Sequence, residues 1–350
     1  MIAQAHINRI GTAVPDNEVH GLFVDWARRQ VANDRAARLF GRMADRCGIA
    51  RRWSVLAAED GGTLLDPGGF YHGALPSTAA RMAIYAEEAP RLALAAIEAL
   101  GPLGRITHLV VASCTGFTAP GIDQRIAAAL GLPRDVERTL VGFMGCYAAV
   151  AALRLAHHLV RSEPHARVLV VTVELCTLHL QQTGDIEKLL AMLQFGDGAA
   201  AAVVSAESYG LAIGRPFAVA LPDSAELIRW TIGDEGFAMH LSGAVPGRIA
   251  EALGDAEVAL AITGGEAVDA WAVHAGGRSV LDAVERALML PADALARSRA
   301  VLAEQGNMSS ATLMFVLADI LRAAEPIAHG VAIAFGPGLA AEGLAFRSAG

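Results

Sequence analysis

TLVGFMGCYAAVAALRLAHHLVRSEPHARVLVVTVEL (139–175) reads as a strand, a tight turn, a helix and a second strand in immediate succession. The flanking pieces, 139–145 and 166–175, are short apolar runs, the signature of strands buried on both faces. The piece between them, 146–162, carries a strong helical pattern. The same alternation extends in both directions. Toward the N-terminus lie a strand over 3–11 and a helix over 21–47, with Phe23, Trp26, Leu39, Phe40 and Met43 as its apolar points. A Gly/Pro-rich loop over 61–77 follows, then a long helix over 78–100, a buried strand over 106–114 and a helix over 121–132. Toward the C-terminus, a glycine turn at Gly196–Gly198 leads into a strand over 199–207.

The second half rhymes with the first: a strand over 270–274, helices over 279–290 and 309–323, and a strand over 331–336. Strands alternating with helices imply parallel or mixed sheets covered on both faces. Two halves of this kind, 1–208 and 209–350, predict an internally duplicated α/β fold joined in a loop around 207–227.

Composition narrows the function. Hydrophobic residues make up 54% of the 350 residues and charged ones 18%, so the chain has ample core and no disordered character. The net charge is −8 and no Lys/Arg-rich run occurs, which argues against a nucleic-acid partner. No stretch of about 20 uninterrupted apolar residues reads as a membrane span, and the N-terminus lacks a secretory pattern. The four cysteines, Cys47, Cys114, Cys146 and Cys176, form no CxxC pair. Reduced thiols in a cytoplasmic protein are expected, and no metal-ligand set is read.

Cys146 stands where an apolar strand meets a helix start, after Gly145. Unpaired N–H groups and the macrodipole there favour thiolate, the nucleophilic form. Taken alone, the position reads equally well as a small buried side chain. His274 leaves a buried strand into Ala275-Gly276-Gly277, a place from which it projects into a cleft at a sheet edge or simply completes the core. Asn307 follows Gly306 at a helix start, where an N-cap is the plain alternative. The three together are far more specific than any one of them. Each ends an element beside glycine.

On GFMGCYAAVAALRLA (142–156), FGDGAAA (195–201), WAVHAGGRSVLD (271–282), QGNMSSATL (305–313) and AFGPGL (334–339), the chain resembles the type III polyketide synthases, chalcone- and stilbene-synthase-like enzymes of the thiolase-like superfamily. The resemblance covers almost the whole chain, and ELCTLHLQ (174–181) is closer to bacterial members than to plant ones. It implies a five-layer αβαβα condensing-enzyme fold, a homodimer, acyl-CoA and malonyl-CoA as substrates, and no further cofactor. By residue, it implies that Cys146 carries the acyl chain and that His274 and Asn307 hydrogen-bond the malonyl thioester. It makes Phe195 and Met239 gatekeepers, the latter in place of a usual Phe. Cys114, Cys176, His179, Trp230 and Ser309 become pocket residues, and Arg42 and Arg46 in RLFGRMADR (38–46) contact CoA. Trp230 falls where plant members carry glycine, and Ala119 where they insert a Met across the dimer interface.

Ketoacyl-ACP synthase III is the nearest rival, since it shares Cys, His and Asn but takes a carrier protein. A degenerate, non-catalytic condensing fold would have lost the nucleophile. A papain-like hydrolase uses the same trio but fits neither the repeated α/β pattern nor the FGPG loop.

Overall fold

The computed structural model describes residues 3–57, 64–66 and 69–350. Its first part runs β1 (His6–Ala13), β2 (Asn17–Glu18), α1 (His20–Gln30), α2 (Asp34–Ala44), β3 (Trp53–Ser54) and α3 (Thr78–Glu98). Then come β4 (His108–Ser113), α4 (Ile122–Ala129), β5 (Glu137–Gly142), α5 (Ala148–Ser162), β6 (Arg167–Leu175), α6 (Ile186–Gln194) and β7 (Asp197–Ser205). The rest comprises β8 (Leu211–Ala220), β9 (Ile228–Gly233), β10 (Gly236–Leu241), α7 (Val245–Leu253), α8 (Ala256–Thr263), β11 (Ala270–Val273), α9 (Arg278–Ala287), α10 (Ala296–Gln305), α11 (Ser310–Ala323), β12 (Gly330–Gly336) and β13 (Ala340–Ser348).

Nine strands form one continuous sheet in the order β11-β12-β13-β8-β1-β7-β6-β4-β5. Its seam is narrow: β1 and β8 share only the pairs His6↔Ala212 and Ile7↔Leu211. On either side of the seam the arrangement repeats. β1, β7 and β6 are successively antiparallel and β4 lies parallel to β6, just as β8, β13 and β12 are antiparallel and β11 lies parallel to β12. The first half adds β5, parallel to β4, as an outer edge. The duplication expected from the sequence is therefore visible in strand order and direction.

Burial follows the period of two that a strand imposes. Val168 and Val170 of β6 join one core cluster, while Leu169, Val171 and Val173 join another on the opposite face. Ala332 and Ala334 of β12 likewise face the first cluster, and Val331, Ile333 and Phe335 face a third. The shared cluster is a central helical layer. There α5 packs on β4, β6, β7 and β13, and α11 on β1, β6, β7, β11 and β12. Two half-sheets can close on these helices because α5 presents Ala148, Ala149, Ala152 and Ala156, all fully buried. The outer layers are α3 on one side and α7 to α10 on the other. The result is the five-layer αβαβα, thiolase-like fold.

Several elements differ from the sequence reading. The single helix expected over 21–47 is two, because the Asn33 side chain accepts a hydrogen bond from Ala36 N (3.0 Å) and caps a fresh start. The strand expected over 139–145 stops at Gly142, since Phe143 and Gly145 adopt positive φ (57° and 70°). Part of the loop expected over 61–77 lies outside the described residues. The joint placed in a loop around 207–227 contains the ten-residue strand β8 in its middle. The β9–β10 hairpin, β13, α6, α7, α8 and α10 were not anticipated.

Candidate active site

The nucleophile candidate is built by two glycine contacts. After β5 the chain makes a 3₁₀ turn, Gly145–Tyr147, and continues directly into α5. Gly145 sits at φ 70°, and a Cβ there would lie 2.4 Å from Pro337 Cδ. A Cβ on Gly336 would lie 2.6 Å from the Tyr147 ring, whose hydroxyl donates to Pro337 O (3.2 Å). The FGPG loop thus clamps the cysteine turn at van der Waals contact, which explains glycine on both sides of the contact.

His274 follows β11, and its N–H still pairs with Ile333 O (2.8 Å) on β12. Asn307 lies in the turn before α11, which occupies in the second half the place of α5 in the first. Ser309, held at φ 47°, returns its N–H to Asn307 Oδ1 (2.8 Å). With its oxygen so engaged, Asn307 presents Nδ2, which makes one long bond to Gly276 O (3.4 Å). The Asn307 backbone brackets Phe195, through Asn307 N to Gln194 O (2.7 Å) and Gly196 N to Asn307 O (3.0 Å). Non-glycine residues at positive φ cluster here, at Phe143, Ser309 and Leu339, as strained backbone does at functional sites.

Cys146, His274, Asn307, Phe195 and Met239 line one narrow cavity that leaves about 30 Å³ for the centre of a water-sized sphere. His274 is 1% exposed, and neither ring nitrogen has a hydrogen-bond partner. Burial alone drives its pKa down to about 3, so it stays neutral at working pH. The Cys146 sulfur accepts from Ser309 Oγ at 3.7 Å and makes no hydrogen bond to His274.

This setting opposes the thiolate that a helix start favours. Burial, opposed first by the hydrogen bond from Ser309, then helped by the Glu174 charge and opposed again by Asn307, leaves the Cys146 thiol pushed up to about 12. Since the thiolate is what alkylates, its fraction falls tenfold per pH unit below the pKa, to about 10⁻⁴ at pH 8. Iodoacetamide labelling of Cys146, followed by peptide mass spectrometry, is expected to accelerate steadily from pH 7 to 10 with no plateau. A plateau near pH 7 would show a pre-formed thiolate.

Behind the sulfur lies a polar cluster that sequence reasoning missed. Glu174, fully buried at the end of β6, accepts from Cys114 N (3.0 Å), Cys114 Sγ (3.4 Å), Thr115 Oγ1 (2.8 Å) and Ser310 Oγ. Burial raises its pKa, while these donors oppose the rise. Cys114 Sγ in turn lies 3.2 Å from Ser309 Oγ. Cys114 and Ser309 therefore back the nucleophile instead of lining either cavity. The signal available in the sequence was a lone acid inside an apolar strand, ARVLVVTVEL.

A second, larger cavity, about 220 Å³ by the same measure, shares Phe195 and Met239 with the first. Cys176, His179 and Trp230 line it. Trp230 stands opposite Met239 in the β9–β10 hairpin, and its Nε1–H donates to Cys114 O (2.9 Å). Its ring meets His179 edge-on at 5.4 Å, and His179 stacks on Phe237 at 4.2 Å. Phe237 N donates to His179 Nδ1 (3.0 Å), so Nε2 carries the proton to Thr115 O (2.8 Å). Burial lowers this histidine to about 4 and keeps it neutral.

On the other side the narrow cavity shares Leu241, Val245, Gly276 and Val280 with an open cleft bearing Arg46 and Arg278. Arg42 is not there; it lies on a separate shallow depression with Arg28 and Arg38. The two arginines grouped by sequence are thus separated, since α2 ends at Ala44 and Arg46 lies past the helix. Arg278, unnoticed in the sequence, lines the same cleft as Arg46.

Two family models match the chain: chalcone and stilbene synthases, N-terminal domain, over residues 2–208, and chalcone and stilbene synthases, C-terminal domain, over residues 216–350. The chain belongs to the chalcone and stilbene synthase family. The fold is similar to that of PKS-I from the brown alga Ectocarpus siliculosus, with TM-score 0.89 and 29% identity over 99% of both chains. It is also similar to the C-terminal type III polyketide synthase domain of Steely1, a type I/III hybrid from Dictyostelium, with TM-score 0.87 and 26% identity over 99% of this chain and 100% of that one. The protein is a type III polyketide synthase in family and fold, and the carrier-protein-dependent rival is not favoured. Among the described residues no helix is long and apolar enough to cross a membrane.

Proposed function

We propose that this synthase holds an acyl starter as a thioester on Cys146, extends it iteratively by decarboxylative Claisen condensation with malonyl-CoA, and releases a cyclised product such as a pyrone or resorcinol. The observation that carries this reading is the pair of unpartnered ring nitrogens of His274, buried in one cavity with Asn307 and Cys146. An unsatisfied buried donor is costly unless a ligand completes it. His274 N–H and Asn307 Nδ2–H are donors for a thioester carbonyl whose oxygen becomes negative as carbon dioxide leaves. The enolate so formed attacks the acyl group on Cys146. No carboxylate base is required, because decarboxylation itself makes the carbanion. Loading needs the Cys146 proton removed, and neutral His274 is the base that lines the same cavity.

Access follows from the two openings. Arg46, Arg278 and the start of α9, where Gly277 offers no side-chain cap, support CoA phosphates in the open cleft. The acyl chain would pass between Phe195 and Met239 into the larger cavity. Trp230, pinned by its bond to Cys114 O, narrows that cavity. Trp230→Gly is therefore expected to shift products toward longer chains or admit bulkier starters, read by mass spectrometry of the product mixture. Unchanged product lengths would count against a volume-limiting Trp230. A homodimer is supported by β5, an edge strand paired on one side only, where Leu140 (46% exposed) and the nearby Phe117 (44%) are left open.

The test is mass spectrometry of products from purified protein given malonyl-CoA and a panel of acyl-CoA starters. Polyketides from free CoA esters would establish the reaction and identify the starter. No product from any of them would overturn the reading.

A further inference from the structure

The ends of β4, β5 and α5 opposite Cys146 bring together His108, Glu137 and Glu163. His108 opens β4 and stands beside Glu137, the first residue of β5, in parallel register. Glu163 follows the last residue of α5. One ligand atom from each, all within 4.8 Å of one another, faces an open crevice also lined by Asp135 and His165.

His108 makes this more than an acidic cluster. It is 4% exposed, and its Nε2 has no hydrogen-bond partner. That nitrogen is aimed at the two carboxylates, 3.8 Å from Glu137 Oε2 and 4.0 Å from Glu163 Oε2. Both distances are too long for a hydrogen bond, so a proton on Nε2 would satisfy neither. They approach the spacing of ~3.4 Å between ligand atoms on a tetrahedral ion with bonds near 2.1 Å. The two glutamate side chains are 73% and 42% exposed, free to swing the remaining few tenths of an ångström. On the far side of the ring, Nδ1 lies 2.8 Å from Thr107 Oγ1. That hydroxyl accepts from Arg167 N (2.9 Å) and has Arg167 O within 3.2 Å for its own proton. Nδ1–H then donates to Thr107, and Nε2 turns its lone pair to the carboxylates, the arrangement that orients a metal-bound histidine.

We infer that His108, Glu137 and Glu163 form a site for a divalent transition-metal cation of the zinc class, two carboxylates balancing its charge and water completing the coordination. An imidazole with two carboxylates suits such an ion better than magnesium or calcium, which favour all-oxygen sets. The site lies at the far end of the parallel strands from Cys146, so its role is to clip the edge strand β5 to β4 and to the end of α5.

The test is titration of the metal-stripped full-length protein with Co²⁺, followed by competition with Zn²⁺. One equivalent bound with visible d–d absorption and no near-ultraviolet thiolate band, displaced by Zn²⁺, is expected. Glu137→Gln and Glu163→Gln, both at solvated side chains, should each weaken binding by at least about tenfold. Zn²⁺ should raise the melting temperature of the wild type but not that of the double variant. Absence of binding, a thiolate signature pointing to the cysteines, or unchanged affinity in both variants would overturn the assignment.

Discussion

Alanine at position 146 is expected to stop polyketide formation, by at least about 10⁴-fold, the scale on which loss of an attacking nucleophile acts. The reason is covalent. Among the described residues, Cys146 supplies the only thiol lining the cavity shared with His274 and Asn307, so no other thiol there can hold the acyl chain. The variant separates two roles. The enolate-stabilising donors survive in Cys146→Ala, so slow decarboxylation of malonyl-CoA to acetyl-CoA should persist while acyl loading, seen as a mass increment on the intact protein, disappears. Alanine adds no strain at this buried turn, and circular dichroism and melting should match the wild type. Retained product formation would remove Cys146 from the mechanism.

Substituting His274 or Asn307 is expected to give the complementary result. In Asn307→Ala both the sulfur and the loading base remain, so starter loading from an acyl-CoA should persist; His274→Gln also removes the base and should slow loading. Decarboxylation of malonyl-CoA should fall by about 10²–10³-fold, the cost of removing one oriented donor from a developing oxyanion. The effect is large because the donors are buried: neither His274 ring nitrogen has a hydrogen-bond partner, and Asn307 Nδ2 makes a long 3.4 Å bond to Gly276 O beside its contact with Cys146. His274 does not ionise until about pH 3, so the wild-type rate of this step should be insensitive to histidine titration between pH 5 and 8. Its ionised form would be favoured only as pH falls through that low value. An inflection near pH 6.5, lost in His274→Gln, would show that the ring is solvated in the working enzyme.

The three residues that meet in the narrow cavity were legible because each carries a local signature: Cys146 after a glycine between strand and helix, His274 before Gly276-Gly277, Asn307 after Gly306. The strands of the first half were legible for a similar reason, since ARVLVVTVEL is apolar throughout and β-branched. β8 was not, because Gly214 and Pro216 interrupt it and its partners β13 and β1 lie far away in sequence. The β9–β10 hairpin, exposed along much of its length, offered no apolar run.

What sequence by itself determined, then, is the alternation of strands and helices, the duplication, and the three polar side chains that meet in one cavity, since these depend on period and on neighbouring residues. Tertiary structure alone decided how those side chains behave. The high Cys146 pKa and the neutral His274 are products of burial, which no local pattern encodes. The Glu174 cluster contains a contact between residues 195 positions apart, and the bond that pins Trp230 spans 116. Arg278 replaces Arg42 at the cleft, and His108 meets Glu137 and Glu163, because chain segments distant in sequence are packed side by side.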